Sequence, residues 1–192
     1  MVPHDLREPF APRFPVHVTM RCVEGLPSLR ARPQFQVLRR AFDAGCERFG
    51  LRLIEFAVLA NHLHLIVEGR DRRALVRGLQ GLFIRCARGL NRLWKRNGKV
   101  FRDRHHDRVL RSAKEVRAVL CYVLGNARRH GVALPGVDPC SSGPWFDGWR
   151  EALEAPGPRW LARARTWLLT RGWRRHGALG IRERPRAWPA VS

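Results

Sequence analysis

Acidic residues are scarce in this sequence, and this scarcity is the strongest indication of the kind of molecule that the protein binds. The 192 residues include 37 Lys and Arg against 16 Asp and Glu, a formal charge of +21, and nearly all of the basic residues are arginine. Such an excess predicts a polyanionic partner, and arginine favours phosphate because its planar guanidinium binds two oxygens at once. An anionic membrane surface is the weaker alternative, because no basic segment with a lipid-facing aromatic side stands out.

Long apolar runs and cysteine pairs are missing as well. No stretch is long enough to span a bilayer, and the proline-punctuated N-terminus lacks the apolar core of a signal peptide. The five cysteines contain no Cys-x-x-Cys motif and lie mostly within apolar patterns, which is typical of small buried side chains in a reducing compartment. We therefore expect a cytoplasmic protein, nucleoid-associated if its partner is DNA, that makes no membrane contact.

The spacing of apolar residues predicts an alternation of strands and helices. The expected segments are strands at 16–22, 51–60, 61–67 and 100–110, and helices at 32–49, 71–97 and 112–130. This order favours an α+β fold, in which an antiparallel sheet carries helices on one face and leaves the other face for a substrate. We divide the chain into an N-terminal arm (1–15), a main domain (16–132) and a C-terminal extension (133–192).

The C-terminal extension differs in composition from the main domain. It is punctuated by Pro and Gly, carries interleaved arginines, and is expected to form one short helix around 158–171. It either packs its tryptophans onto the main domain or presents an aromatic and basic surface on which bases stack. Six of the seven tryptophans lie in it: Trp145, Trp149, Trp160, Trp167, Trp173 and Trp188.

The segment 61–67 reads Asn-His-Leu-His-Leu-Ile-Val and predicts a strand with two histidines on one face. His62 and His64, two residues apart, are close enough to bind one cation, which makes half of a metal site with an open side. The alternative interpretation is a pair of polar residues on a solvated sheet face.

The helix expected at 112–130 carries Tyr122, the only tyrosine of the chain, away from its apolar stripe. On helical geometry Tyr122 lies roughly 130° from the centre of that stripe. Asn126 follows four residues later and is expected one turn further on the same side. Alone, the pair is equally compatible with a partly exposed tyrosine on a helix flank.

Together, the two histidines and the amide suggest a reaction centre. Two imidazoles and one amide oxygen suit Mn²⁺ or Mg²⁺ and leave room for phosphate oxygens. A bound divalent metal polarises a phosphodiester, and a tyrosine one turn from the amide is placed to attack phosphorus covalently. His17, His105 and His106 are weaker candidates as proton carriers.

Arginines recur every three or four residues along the helix expected at 71–97, with almost no acids between them. The alternative is a solvated helix face, but on such a face acidic residues usually form (i, i+4) ion pairs with the basic ones, and those acidic residues are missing here. We therefore expect these side chains and those of the following strand to hold backbone phosphates. The candidates are Arg73, Arg77, Arg85, Arg88, Arg92, Arg102, Arg104 and Arg108.

These motifs resemble those of the single-tyrosine HUH transposases, most closely the REP-associated tyrosine transposases of bacteria. Residues 61–65 are similar to the family's Asn-His-hydrophobic-His-hydrophobic signature, and residues 122–126 to its Tyr-x-x-x-Asn helix. The resemblance covers roughly residues 16–131. Ala60 and Ala127 stand where family members often have proline, which affects loop shape rather than ligands.

The resemblance implies a ferredoxin-like fold and single-stranded or hairpin DNA from repetitive extragenic palindromes as substrate. It implies that His62, His64 and Asn126 bind the divalent metal and that Tyr122 is the nucleophile, forming a 5′-phosphotyrosine. Such a strand transferase would act as a monomer or a homodimer. Two other functions stay open: a metal-dependent nuclease that uses water, and a basic nucleic-acid-binding protein without catalysis.

Overall fold

The computed structural model describes residues 11–102, 105–132 and 134–184. A four-stranded sheet with strand order β2-β3-β1-β4, antiparallel throughout, forms its centre. The strands are β1 (Val16–Arg21), β2 (Leu51–Val58), β3 (His62–Gly69) and β4 (His106–Val109), and the helices are α1 (Arg32–Gly45), α2 (Arg72–Leu93), α3 (Ala113–Leu124) and α4 (Asn126–Arg129). The predicted α+β class and ferredoxin-like sheet are confirmed.

Side-chain alternation divides the sheet into two buried faces. On one face, Val18, Leu65 and their neighbours pack against α1 and α2, as expected. The other face, which we expected to be open, is partly covered, because α3 packs its stripe of Val119 and Leu120 against Ile66. Helices therefore lie on both sides of the sheet, and the polar residues of β1 and β3 share a face with α3.

The predicted single helix at 112–130 is interrupted. Its predicted start is confirmed, since the Ser112 side chain accepts a hydrogen bond from the Glu115 N–H and caps α3. The helix then ends at Leu124, because Gly125, a poor helix former, is followed by the separate turn α4. The break lies between Tyr122 and Asn126.

The fourth strand is shorter than predicted. It covers only His106–Val109, whereas Phe101 forms a separate bridge with Cys22 beyond the end of β1. Residues 103 and 104 lie outside the described part of the chain, so the predicted phosphate ligand Arg104 does too. Among the described residues, no helix combines the length and apolarity needed to cross a bilayer.

The C-terminal extension runs along the free edge of β2. The Val58 N–H donates to the Cys140 carbonyl (2.8 Å), and the Ser142 N–H donates to the Phe56 carbonyl (2.9 Å). A buried carboxylate, Asp138, anchors the start of this segment through two 2.8 Å hydrogen bonds from the Arg30 guanidinium. The extension thereby pairs an edge that would otherwise expose unsatisfied backbone groups.

Most of the described tryptophans of the extension are packed. Trp173 is 1% exposed within the core on the α3 side, and Trp160 packs against the core on the α1 side, whereas Trp167 is 49% exposed. The structure thus favours packing over a continuous stacking surface, and Trp188 lies outside the described residues. The prediction of a helix at 158–171 is wrong. A π-helical turn (Leu168–Gly172) and a 3-10 turn (Trp173–His176) form instead.

Candidate active site

A cavity of about 480 Å³ lies on the α3 side of the sheet, where β1 ends and β3 begins. It brings together residues from β1, β3, α3 and α4 and from the loops beside them. The residues that matter for its chemistry are His17, Thr19, His62, His64, Tyr122 and Arg129.

The two predicted ligand histidines are adjacent in this cavity. His62 and His64 alternate with Leu63 and Leu65 along β3, so both imidazoles point toward α3 while the leucines enter the opposite core. Their ring centroids are 4.8 Å apart at an interplanar angle of 89°. The two rings are thus in edge-to-face contact at the wall of one cavity.

Neighbouring polar groups fix the tautomer of His62. Its Nδ1 lies 2.8 Å from Oδ1 of Asn61, and because an amide oxygen only accepts, Nδ1 carries the proton. Nε2 of His62 is therefore a lone-pair donor toward a metal. Asn61 acts as the orienting partner that metal-bound histidines usually have.

His64 is held in the same way by β1. Its Nδ1 lies 3.1 Å from Oγ1 of Thr19 and 3.2 Å from Nε2 of His17, because the antiparallel register places Thr19 opposite His64. Nε2 of His64 is buried and has no hydrogen-bond partner. A buried ring nitrogen without a partner is unfavourable in apolar surroundings, and in the tautomer that protonates Nδ1 it is the atom that a metal would bind.

Burial keeps all three imidazoles neutral. It lowers the pKa of His17 to about 4, with a further contribution from Arg108, and it lowers the pKa of His62 to about 4, helped by Arg21. Burial also sets the pKa of His64 well below its usual value, with the neighbouring imidazoles adding to the effect. Neutral imidazole is the form that coordinates a metal, and a His17 of such low basicity is a hydrogen-bond partner rather than a proton carrier.

Tyr122 lies beside the histidines. Its ring centroid is 5.2 Å from that of His64 and 6.0 Å from that of His17, and the side chain is half-buried. The apolar stripe of α3 faces the core, which leaves Tyr122 on the flank that turns toward the cavity. The Arg129 guanidinium carbon lies 5.4 Å from the centroid of the phenol ring, a cation–π contact that places a positive charge beside Tyr122.

Asn126, the third predicted ligand, does not line this cavity. It is fully buried at the start of α4, and neither its Oδ1 nor its Nδ2 has a hydrogen-bond partner. Within the described ranges, no group of three or more His, Cys, Asp or Glu side chains could hold a metal ion. The donor set of two imidazoles and one unpartnered amide oxygen nevertheless fits a divalent metal chemically.

Most of the predicted phosphate ligands lie elsewhere. Arg73, Arg77, Arg88 and Arg92 are exposed and Arg85 is half-buried on α2, which packs on the sheet face opposite the cavity. Arg102 is exposed beside Glu24, and only Arg108 lies next to the histidines, paired in register with His17. His106 is exposed on β4, and the His105 ring contacts Phe83 on the other face.

Sequence reasoning missed several residues that line the cavity. Thr19 and Arg21 alternate with His17 on the polar face of β1, which was the available signal. Arg30 and Arg129 also reach the cavity, from the loop before α1 and from α4. Arg129 supplies positive charge where a phosphate would lie, whereas the charge of Arg30 is balanced by Asp138.

Comparisons with known proteins support the fold. No family model matches the sequence, and no curated protein matches it. Among solved structures, a REP-associated tyrosine transposase bound to a REP hairpin is similar, with a TM-score of 0.59 and 17% sequence identity. The match covers 73% of this chain and 82% of that chain. At this identity the similarity shows a common fold.

Proposed function

We propose that this protein is a transposase-like enzyme that cleaves and rejoins single-stranded or hairpin DNA of the REP type through a 5′-phosphotyrosine intermediate. The observation that carries the proposal is the cavity in which the Tyr122 ring lies 5.2 Å from His64, beside His62. The structural neighbour is bound to a REP hairpin, and the charge of +21 suits a DNA partner. Such an enzyme would work in the cytoplasm, at the nucleoid.

The proposed step is a phosphoryl transfer to tyrosine. Oη of Tyr122 attacks phosphorus, its proton passes to solvent, and the bond from phosphorus to the 3′ oxygen breaks. The leaving oxygen takes a proton and becomes a free 3′-OH, while the 5′ end stays esterified to Tyr122. Because the ester conserves the bond energy, the reverse attack by a 3′-OH joins strands without a nucleotide cofactor.

His62, His64 and Asn126 would hold a divalent metal, Mg²⁺ or Mn²⁺. When bound, such an ion polarises the scissile phosphodiester and neutralises developing charge. Asn61 and Thr19 keep the Nε2 atoms of the imidazoles directed into the cavity. Arg21 and Arg129 line the same cavity and would supply positive charge for the phosphate that enters.

A covalent-adduct assay tests this function. Protein is incubated with labelled hairpin DNA and Mn²⁺ and then separated under denaturing conditions, and we expect a labelled band at the protein's size. Tyr122→Phe should abolish the band, and His62→Ala should reduce it by at least about 100-fold. The control His176→Ala, at an exposed histidine of the extension, should leave it unchanged.

The same assay discriminates the two rival functions. Cleavage without an adduct, unaffected by Tyr122→Phe, would support a nuclease that activates water. DNA binding without cleavage, unaffected by His62→Ala, would leave a non-catalytic basic protein. The buried cluster of neutral histidines favours the enzyme, because a phosphate-binding surface has no use for neutral groups held out of solvent.

A further inference from the structure

A surface groove of about 630 Å³ lies between α1 and α2. Both helices pack on the core that contains Leu65, so the groove is on the opposite side of the sheet from the candidate active site. Four arginines line it, Arg40 from α1 and Arg85, Arg88 and Arg92 from α2. We call it the α1–α2 groove.

The floor of the α1–α2 groove is apolar and made largely of small residues, among them Ala41 and Gly89. The two helices are in close contact there, because a Cβ at Gly89 would lie 2.6 Å from Cγ1 of Val37. Ile84 and Leu93, also in the groove, are 44% and 38% exposed. The arginines thus stand beside apolar surface, where an ion pair is less weakened by water than on an open surface.

The four arginines of the groove have no acidic partners. The ion pairs of the described residues engage other arginines, such as Arg52 and Arg72, and none engages these four. Arg40, Arg88 and Arg92 are exposed, and the half-buried Arg85 has a buried Nε without a hydrogen-bond partner. The groove therefore holds positive charge that the described part of the protein does not neutralise.

The spacing of the arginines on α2 matches a repeating anion. Arg85, Arg88 and Arg92 follow one another at intervals of three and four residues, which places them on one side of the helix. At 1.5 Å per residue they cover about 10 Å of the helix axis. One strand of a DNA duplex advances about 3.4 Å per phosphate, so this row spans about three phosphates.

We propose that the α1–α2 groove binds the sugar-phosphate backbone of a second DNA segment while a first segment occupies the candidate active site. The sheet separates the two sites together with α1 and α2, and one helix alone is about 10 Å in diameter. That the second ligand is DNA rests on the proposed function: the joining step needs an acceptor, and holding the acceptor DNA on the same molecule raises its effective concentration.

An acidic amphipathic helix of a partner protein is the other ligand that an apolar and basic groove accepts. The row of arginines favours DNA, because phosphates repeat at a fixed interval and each guanidinium binds two phosphate oxygens. Backbone contacts alone carry no sequence information, so the second segment should bind irrespective of its sequence.

Native mass spectrometry tests the two-site arrangement. Full-length protein with Tyr122→Phe, chosen so that the DNA stays uncut, is mixed with a REP-type hairpin and a duplex of unrelated sequence and distinct mass. We expect a complex of one chain, one hairpin and one duplex. Displacement of the hairpin by the duplex, or complexes that hold both DNAs only with two chains, would overturn the proposal.

Variants assign the second DNA to the groove. Arg40→Ala combined with Arg88→Ala, one change from each helix, should weaken duplex binding to the hairpin-saturated protein and lower the slope of log K against log salt by about 1.8. Hairpin binding should change less. The control combines Arg32→Ala and Arg171→Ala, which remove the same charge at exposed positions outside the groove. Equal losses in both double variants, or none in the groove variant, would contradict the proposal.

Two further arms separate the possible explanations. An amphipathic helical peptide of Glu and Leu is tested as a competitor of the duplex; displacement at a lower concentration than unlabelled duplex requires would assign the groove to an acidic protein and overturn the proposal. The covalent adduct of Tyr122 is measured with the natural protein. Duplex binding without an adduct would retain this inference and reject the proposed chemistry, whereas an adduct without a second DNA would do the reverse.

Discussion

At the scale of single residues, the hydrogen bonds behind the imidazoles matter as much as the imidazoles themselves. Asn61 and Thr19 each engage one Nδ1, so that the opposite nitrogen of each ring is directed away from the strand. Partners of this kind restrict ring rotation, and the acceptor-only amide oxygen of Asn61 also fixes the protonated nitrogen of His62. The proposed metal affinity therefore depends on residues that never touch the ion.

We predict that Asn61→Ala weakens Mn²⁺ binding about tenfold, because His62 then loses the acceptor that fixes its tautomer. Isothermal titration calorimetry with Mn²⁺ measures the change. Asn97→Ala, at an exposed amide far along the chain after α2, serves as the control and should bind as the natural protein does. Equal affinity in the Asn61 variant would show that His62 is oriented by packing alone.

The buried histidines also predict how stability depends on pH. The pKa of His17 and of His62 is about 4 in the folded protein against 6.5 for the free side chain, so the unfolded chain binds more protons between these values. Stability should therefore be full above about pH 6.5 and fall as pH drops toward 4, by about 2–3 kcal/mol for His17 alone.

Urea unfolding at pH 7.5, 6.0 and 5.0 checks this dependence. The His17→Gln variant cannot take up that proton on unfolding, so its stability should fall less steeply across the window. His176→Gln removes an exposed histidine and should keep the full slope. Parallel slopes for the His17 variant and the natural protein would contradict the prediction.

Sequence periodicity could anticipate part of this site. The alternation of side chains along β3 predicted that His62 and His64 lie on the same face of the strand. Helical geometry predicted that Tyr122 points away from the apolar stripe of α3. The contact of Thr19 with His64 could not be anticipated, because it depends on the register between β1 and β3, which only the folded sheet fixes. The metal role of Asn126 stays a prediction.

At the scale of elements, the end of β3 fastens the C-terminal extension. The Glu68 carboxylate is wholly buried and accepts hydrogen bonds from Arg52 (2.7 Å), from the Thr166 N–H (2.8 Å) and from the Arg165 N–H (3.0 Å). The Glu68 side chain thus neutralises one guanidinium and accepts hydrogen bonds from two backbone N–H groups just before the π-helical turn. Charged hydrogen bonds of this kind are stronger than neutral ones.

We predict that Glu68→Gln destabilises the protein by about 3 kcal/mol, since it removes the charge that balances the partly buried Arg52. The preceding segment 151–158 is exposed and should then be cut faster by a protease, which peptide mapping after limited digestion would detect. Glu154→Gln, in that exposed segment, should change neither quantity. An unaltered digestion pattern for the Glu68 variant would show that the extension is held by its tryptophans alone.

The extension also shows where periodicity fails. Its attachments include single ion pairs between distant residues, such as Arg30 with Asp138 and Glu55 with Arg159, and no local sequence pattern indicates them. The break after α3 was missed for a related reason: one glycine inside a helical pattern is usually tolerated, and only packing decides whether the helix continues. Regular elements were predictable, whereas their terminations and the irregular extension were not.

At the scale of the whole molecule, positive charge is divided between the two sides of the sheet. Arg21, Arg30 and Arg129 surround the candidate active site, while the arginines of α2 lie on the opposite side. The two groups should therefore contribute differently: the first to the reaction, the second to retention of DNA by phosphate contacts.

We predict that the double variant Arg88→Ala and Arg92→Ala lowers affinity for single-stranded DNA and reduces the slope of log K against log salt by about 1.4. Its rate of adduct formation at saturating DNA should be unchanged. Arg129→Ala, in contrast, should slow adduct formation at saturation. Anisotropy titrations at several salt concentrations and single-turnover kinetics measure the two effects; a slower single turnover in the α2 variant would mean that DNA wraps around both sides.

The order of the seven predicted segments made the antiparallel sheet predictable, because only a few topologies close a sheet from such an order. The outer edge of β2 is already occupied by residues 140–142, and the sheet ends on its other side with β4, only four residues long. Within the described residues, two copies of this chain consequently offer each other almost no free strand edge for one continuous intermolecular sheet. If the protein self-associates, we expect helices or loops to form the interface.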